Sequence, residues 1–448
     1  MKFSIKDQAL SQSKINELKN NYETKTENNI IRHALSKSKI SDICYVSEAE
    51  KDTDNKFSIE LKTMSVCNQK QSGRCWIFAG LNILREKVAE KLNLKSFELS
   101  QNYIAFYDKL EKLNYALSSV MELIDHQHDE RTLAYILTNG IGDGGQWDMF
   151  ANLVKKYGVC PKKAMVETAQ SSGTRESDQL LNSLLRFFAS EAQSLYKQNK
   201  IQEIQALKDQ CLQKGYNLLA NCFSKPVEVF DFEYVDNDGK YHCEKNLTPL
   251  SFYDKYLKGT IEQYQSITNS PTEDKPYLQA YTIAYLGNVI EGRQVTHLNL
   301  SMERMEELII SQLKDNQPVW FGSDVSYYGD RQNGRWDTKA FDYLSTFDID
   351  MKFDKAKMLD YYQSAMNHAM VISGVNLVDN KPTKWKIENS WGEDVGEKGY
   401  YVMSEEFFKT FVYQAVINKK YLNKDELEAL EKEIKVYPCY DPMGTLAK

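Results

Sequence analysis

Residues 67–79 read CNQKQSGRCWIFA, and the run continues as GLNILREKVAEKLNL through residue 94. Trp76, Phe78, Leu81, Leu84, Val88 and Leu92 recur at three- and four-residue steps apart from one shorter interval. That spacing predicts a helix with an apolar stripe. Ser72 and Gly73 stand just before it, as a helix start requires. Cys75 would therefore sit at the positive end of a helix dipole. Such a position, with help from a histidine, lowers a thiol pKa from about 8.5 to about 3.5–7.5.

The chain that carries this stretch has 448 residues, 42% hydrophobic and 27% charged, which fits a soluble globular protein of two or three lobes. Its net charge of −7 opposes nonspecific binding of nucleic acid. The N-terminus MKFSIKDQALSQSKINELKN has no apolar core of signal-peptide length. The densest apolar run, residues 75–84, is too short to cross a bilayer and contains Asn82. A cytoplasmic protein without membrane contact is expected. KDEL at 424–427 is internal and carries no address. The eight cysteines include no C-x-x-C pair, so no zinc knuckle, redox pair or other metal site is expected, and no cofactor.

A thiol at a helix start needs a base. The candidates are His33, His126, His128, His242, His297 and His368. His126 and His128, in DHQHDE, are two residues apart and do not share a helix face. His368 opens the extended run HAMVISGV, and KIENSWG follows after the turn VDNKPT. By period-two alternation His368, Met370 and Ile372 share a face, as do Trp385, Ile387 and Asn389. A hairpin closed by the turn brings His368 near Asn389, within two residues of register. The asparagine oxygen can then accept the second ring N–H, and Trp391 can cover that bond.

Elsewhere the first half is helical, with DQLLNSLLRFFASEAQSLYKQ as its clearest helix. VEVFDFEYV, DNDG and KYHCEKNL predict a hairpin. Strands follow in PVWFGSDV and KGYYVMS, and EEFFKTFVYQAVI reads as one helix.

NQKQSGRCWIFA, MNHAMVISGV and IENSWGEDVGEKGYY resemble the glutamine, cysteine, histidine and asparagine boxes of the papain superfamily. The similarity is to its bleomycin hydrolase and bacterial aminopeptidase C branch, and it extends to GIGDGGQWDMFANLVKKYGVCPK, TPLSFYDKYL, QPVWFGSDV and DPMGTLAK. It implies an α+β fold of two lobes, one helical and one an antiparallel, barrel-like sheet, with a large helical insertion. It implies Cys75 as nucleophile, His368 as base, Asn389 as the orienting residue and Gln69 as an oxyanion donor. Gly144 and Gly145 would lie bare against an extended substrate, beside Trp391. The domains expected are 1–65 as an N-terminal segment, 66–170 as the helical lobe and 171–300 as a mainly helical insertion with a hairpin. Residues 301–420 would form the β-rich lobe, and 421–448 a helix and an arm into the active site.

Ser72 and Gly142 stand where secreted relatives carry a disulfide, in keeping with a reducing compartment. The branch also implies a homohexamer acting on peptides, with Ala447 and Lys448 at the chain end meeting the substrate's amino group. The activity implied is that of an aminopeptidase, with bleomycin-type amide hydrolysis beside it. An endopeptidase of the same branch, or a binding protein on this scaffold, are the other readings.

Overall fold

The predicted helix runs Cys75–Leu92, with Arg74 at its N-cap. Asn93, in the left-handed region at φ 52°, closes it by donating its N–H to the Ala89 and Glu90 carbonyls. Cys75 through Arg85 are all buried, because the helix is covered on both sides. Helices Gln101–Glu122 and Trp147–Tyr157 pack on it from one side, and strand His368–Val378 from the other. This computed structural model describes residues 3–448, so residues 1 and 2 of the expected N-terminal segment lie outside the described residues.

Strand His368–Val378 lies near the middle of a twelve-stranded sheet. Its neighbours are Val319–Ser323 and Lys381–Glu388, both antiparallel. Beyond the first lie, in order, Val412–Asn418, Tyr264–Thr268, His297–Asn299, Gln279–Ile283 and Lys435–Tyr437. Beyond the second lie Tyr400–Ser404, Arg335–Trp336 and Gly329–Asp330, and Ile59–Glu60 joins the central strand itself. The sheet is an open path with three parallel pairs among antiparallel ones.

Alternation on the central strand divides two cores. Ala369 and Val371 belong to the core of the helical lobe. Met370, Ile372 and Val375 belong to the core under the sheet, with Trp385 and Ile387 of the next strand. A strand buried on both faces shows this two-sided apolar content.

Residues 171–300 supply two long helices, Arg175–Lys197 and Ile201–Phe223, and the hairpin of Phe230–Val235 with Tyr241–Leu247. They also supply three strands of the large sheet, so the sheet crosses the boundary expected at residue 300. The single helix read in EEFFKTFVYQAVI is corrected. Glu405–Phe411 is helical, but Val412–Asn418 is a central strand, every residue of it buried. Its β-branched and aromatic residues favour a strand, and burial on both faces hides the alternation that would reveal one.

Candidate active site

Cys75 is only 4% exposed, and its Sγ accepts the Ala369 N–H at 3.4 Å. The helix start of one lobe thus meets the first residues of the central strand of the other. Trp320 ties the same contact by donating its indole N–H to the Trp76 carbonyl at 3.2 Å.

His368 stands one residue before Ala369, and its Nε2 lies 2.8 Å from Asn389 Oδ1. The tautomer follows from the neighbour. The Ser390 backbone N–H donates to the same Oδ1 at 2.8 Å, which fixes that atom as the oxygen. His368 Nε2 therefore carries the proton, and Nδ1 keeps its lone pair. Trp391 stacks on the imidazole with ring centroids 4.8 Å apart at 27°. The Arg331 guanidinium also lies over that indole, 4.3 Å from a ring centroid.

Burial pushes the Cys75 thiol up to about 11, against the backbone N–H groups of Ala369 and Trp76, which favour the thiolate. Burial likewise pushes His368 down to about 4, with Asn389 opposing and Arg331 assisting. Each group alone is held neutral. Moving the thiol proton to the imidazole creates both charges together, and burial strengthens their mutual attraction.

Gln69 is fixed at both ends of its amide. Its Oε1 accepts from Ser390 Oγ at 2.5 Å, and its Nε2 donates to the Ser72 carbonyl at 2.5 Å. One amide hydrogen remains. The Gln69 backbone N–H donates to the Ser390 carbonyl at 2.8 Å, so the glutamine and asparagine segments are pinned together.

An aspartate binds the loops that carry Ser72 and Gly142. Asp143 accepts the Gly73 N–H at 2.6 Å and the Thr174 hydroxyl, and pairs with Lys109 at 2.7 Å. Its own carbonyl accepts the Trp76 indole N–H at 2.6 Å. Although burial opposes ionisation, Lys109 and these donors hold its carboxyl far below the usual carboxylate range. Ser72 accepts from Arg74 Nε at 2.9 Å, and Arg74 pairs with Glu167 at 3.0 Å.

The chain end lies on the glycine loop. The Gly144 N–H donates to the terminal main-chain oxygen of Lys448 at 3.2 Å, and Thr445 Oγ1 donates to the Met366 carbonyl at 2.8 Å. A Cβ on Gly142 would fall 2.7 Å from the terminal carbon, and one on Gly144 would strike Leu446 and Lys448. Gly144 is therefore covered by the protein's own chain, while Gly145 faces the Trp76 ring. Leu446 is buried, Ala447 half-buried and Lys448 exposed, its Nζ 5.1 Å above Tyr135.

Two site features escape a reading of motifs. Arg85 pairs with Glu388 at 2.9 Å, both nearly inaccessible. Arg85 lies on the Cys75 helix and Glu388 directly precedes Asn389, so the pair joins the two lobes behind the site. Asn82 donates to the same Glu388 oxygen at 2.8 Å, and Arg85 donates to Cys67 Sγ at 3.1 Å. Burial pushes Glu388 up to about 7 against the pull of Arg85, which stays cationic. A charge at a buried phase of a helix or strand is the signal that could have disclosed it. Arg331 comes from DVSYYGDRQNGRWD, which matches none of the boxes.

The remaining histidines lie elsewhere. His297 is buried beside Ser266 Oγ at 2.8 Å, and His126 pairs with Glu130 on the surface. Among the described residues no cluster of three His, Cys, Asp or Glu could hold a metal ion, and no helix is long and apolar enough to cross a membrane.

A model of the Peptidase C1-like family matches residues 9–444. Aminopeptidase C of Lactobacillus delbrueckii subsp. lactis is 47% identical over 406 residues, 90% of this chain and 90% of that protein. Bleomycin hydrolase of Gallus gallus is 36% identical over 419 residues, 91% of this chain and 92% of that one. The crystal structure of PepW from Lactobacillus rhamnosis HN001 matches with a TM-score of 0.95 at 43% identity, over 97% of this chain and 99% of that chain. With its α+β architecture and a thiol, an imidazole and an amide at one lobe junction, the chain belongs to the Peptidase C1-like family and is a cysteine-type peptidase.

Proposed function

We propose that the protein is a cysteine aminopeptidase that removes N-terminal residues from peptides, with Cys75, His368, Asn389 and Gln69 as its working residues. The Cys75 proton passes to His368 Nδ1 as Sγ bonds to the carbonyl carbon of the first peptide bond. Asn389 holds the ring through Nε2–H. The oxyanion that forms takes hydrogen bonds from the Cys75 backbone N–H and from the Gln69 amide hydrogen not given to Ser72. When the intermediate collapses the C–N bond breaks, and His368 returns its proton to the leaving amine. Water then adds to the thioester with His368 as base, the first residue leaves as an acid, and the thiol is restored.

The observation that favours removal of single residues is the chain end on Gly144. An extended substrate would run along that glycine strip, and Leu446–Lys448 already occupy it. A substrate reaching Cys75 thus has little room before its scissile bond, and its amino group would meet the terminal carboxylate. Amide hydrolysis of the bleomycin type fits the same room, since it needs only one residue before the bond.

The test is one peptide, with a free and with an acetylated N-terminus. The full-length protein is expected to cleave the free form at least about tenfold faster, about 1.4 kcal/mol in transition-state binding. Deleting residues 445–448 should abolish that preference and yield internal cleavage products by mass spectrometry. An unchanged preference after deletion would overturn the reading and leave the endopeptidase assignment.

A homohexamer in the cytoplasm completes the proposal. Apolar side chains without cover support assembly: Ile15, Leu18 and Tyr22 on one face of helix Gln12–Thr24, and Leu180 and Phe187 on helix Arg175–Lys197. Six is the number that the family resemblance implies, and sedimentation equilibrium measures it.

A further inference from the structure

We propose that Lys275 is a specificity-determining positioning residue, whose ion pair with Asp441 fixes the root of the C-terminal segment and thereby keeps the chain end on Gly144. The inference rests on the aminopeptidase reading and names a residue that sets it.

Strand Lys435–Tyr437 pairs in parallel with Gln279–Ile283 at the sheet edge, and the chain then turns away toward the cleft. Lys275 meets it at that turn. Its Nζ lies 2.8 Å from Asp441 Oδ2, and the two side chains are 5% and 6% exposed. The same ammonium stands 4.2 Å from the Tyr437 ring centroid and 3.2 Å from Asp274. Its backbone is held as well, because the Lys275 carbonyl accepts from Asn299 Nδ2 at 2.7 Å.

Asp441 has a second task. Its Oδ1 accepts the Met443 N–H at 2.9 Å and its carbonyl accepts the Gly444 N–H at 3.0 Å, which starts the short 3₁₀ turn Pro442–Ala447. One carboxylate thus joins the anchor to the turn that delivers Lys448. Beyond the Asp441 cap, ties from the segment to the rest of the molecule include the Thr445 hydroxyl on Met366, the 3.2 Å bond from Gly144 to Lys448 and the Lys448 ammonium over Tyr135. These ties lie at the half-buried or exposed end of the segment, where water competes for them, whereas a buried, paired charge cannot be dropped without a larger cost. A cavity of ≈ 110 Å³ lined by Ser270, Thr272, Leu359 and Met443 adjoins the pair, so a released turn has space to move.

The experiment uses full-length protein carrying Lys275→Met, Lys275→Arg or Asp441→Asn, with the 445–448 deletion as reference. The readout is the ratio of acetylated to free peptide cleavage, which a loss of folded protein alone does not change. Lys275→Met and Asp441→Asn are expected to raise the ratio at least tenfold, and Lys275→Arg to keep it near that of the parent. If Lys275→Met fails to fold, Asp441→Asn decides, because the amide oxygen can still cap Met443 while the charge is gone. A ratio that rises in the deletion but stays at the parental value in the anchor variants overturns this inference alone. A ratio that does not move in the deletion overturns the aminopeptidase reading and this inference with it.

Discussion

Cys75→Ala is expected to lower peptide turnover by at least about four orders of magnitude, the scale on which an acting group is lost from a concerted catalytic set. The fold should survive. The sulfur makes a 3.4 Å contact to the Ala369 N–H and sits at the lobe junction, but the helix behind it is held by Trp76, Ile77 and Phe78, all within 2% of complete burial. Removing one small buried atom costs about 1 kcal/mol. Steady-state kinetics and thermal unfolding on the same preparation check both halves. Turnover within tenfold of the parent would show that the thiol is not the nucleophile. A collapse of Tm would show that it is structural.

Arg85→Met is expected to destabilise the protein by about 3–5 kcal/mol, because Glu388 loses its cation in a site with 2% exposure and must stay buried unpaired or take up a proton. The Asn82 amide would remain as a partner, but no cation. The loss should also reach the chemistry, since Glu388 holds the strand end that presents Asn389 and Arg85 belongs to the helix that presents Cys75. Arg85→Met with Glu388→Leu should recover most of the stability, as apolar replacements of buried ion pairs commonly do. Urea unfolding of the two single variants and the double variant measures the coupling. A cost under about 1 kcal/mol for Arg85→Met, or simple additivity in the cycle, contradicts a paired buried charge.

Local pattern was the part of this molecule open to a reader of sequence. The helix at Cys75 follows from its apolar spacing, and the hairpin at 228–247 from a change of period around DNDG. The meeting of His368 with Asn389 follows from parity. Asp379 and Asn380, at φ 50° and 61°, make the tight turn that returns the strand, and the two irregularities in the pairing cancel, so both side chains stay on one face. The register pairs Val371 with Glu388, so extrapolation sets His368 against Trp391, two residues from Asn389.

Long-range pairing was closed to it. Tyr264–Thr268 and His297–Asn299 join the sheet through a parallel pair that no local spacing announces. Val412–Asn418 is buried on both faces and so shows no alternation. Asp143 lies inside a glycine cluster whose glycines drew the attention. Its role depends on Lys109, Gly73 and Thr174, brought together only by the fold.

Catalysis requires Cys75 to be activated by His368 although it is 4% exposed. Exposure and chemistry predict different outcomes for a thiol reagent, since Cys222 and Cys243 are the two cysteines that are not buried. Treating the native protein with one equivalent of iodoacetamide at neutral pH and mapping the label by peptide mass spectrometry separates them. An activated Cys75 is expected to be carbamidomethylated, with peptidase activity lost in proportion and the label absent there in His368→Ala. Label confined to Cys222 and Cys243, with activity intact, would contradict that activation.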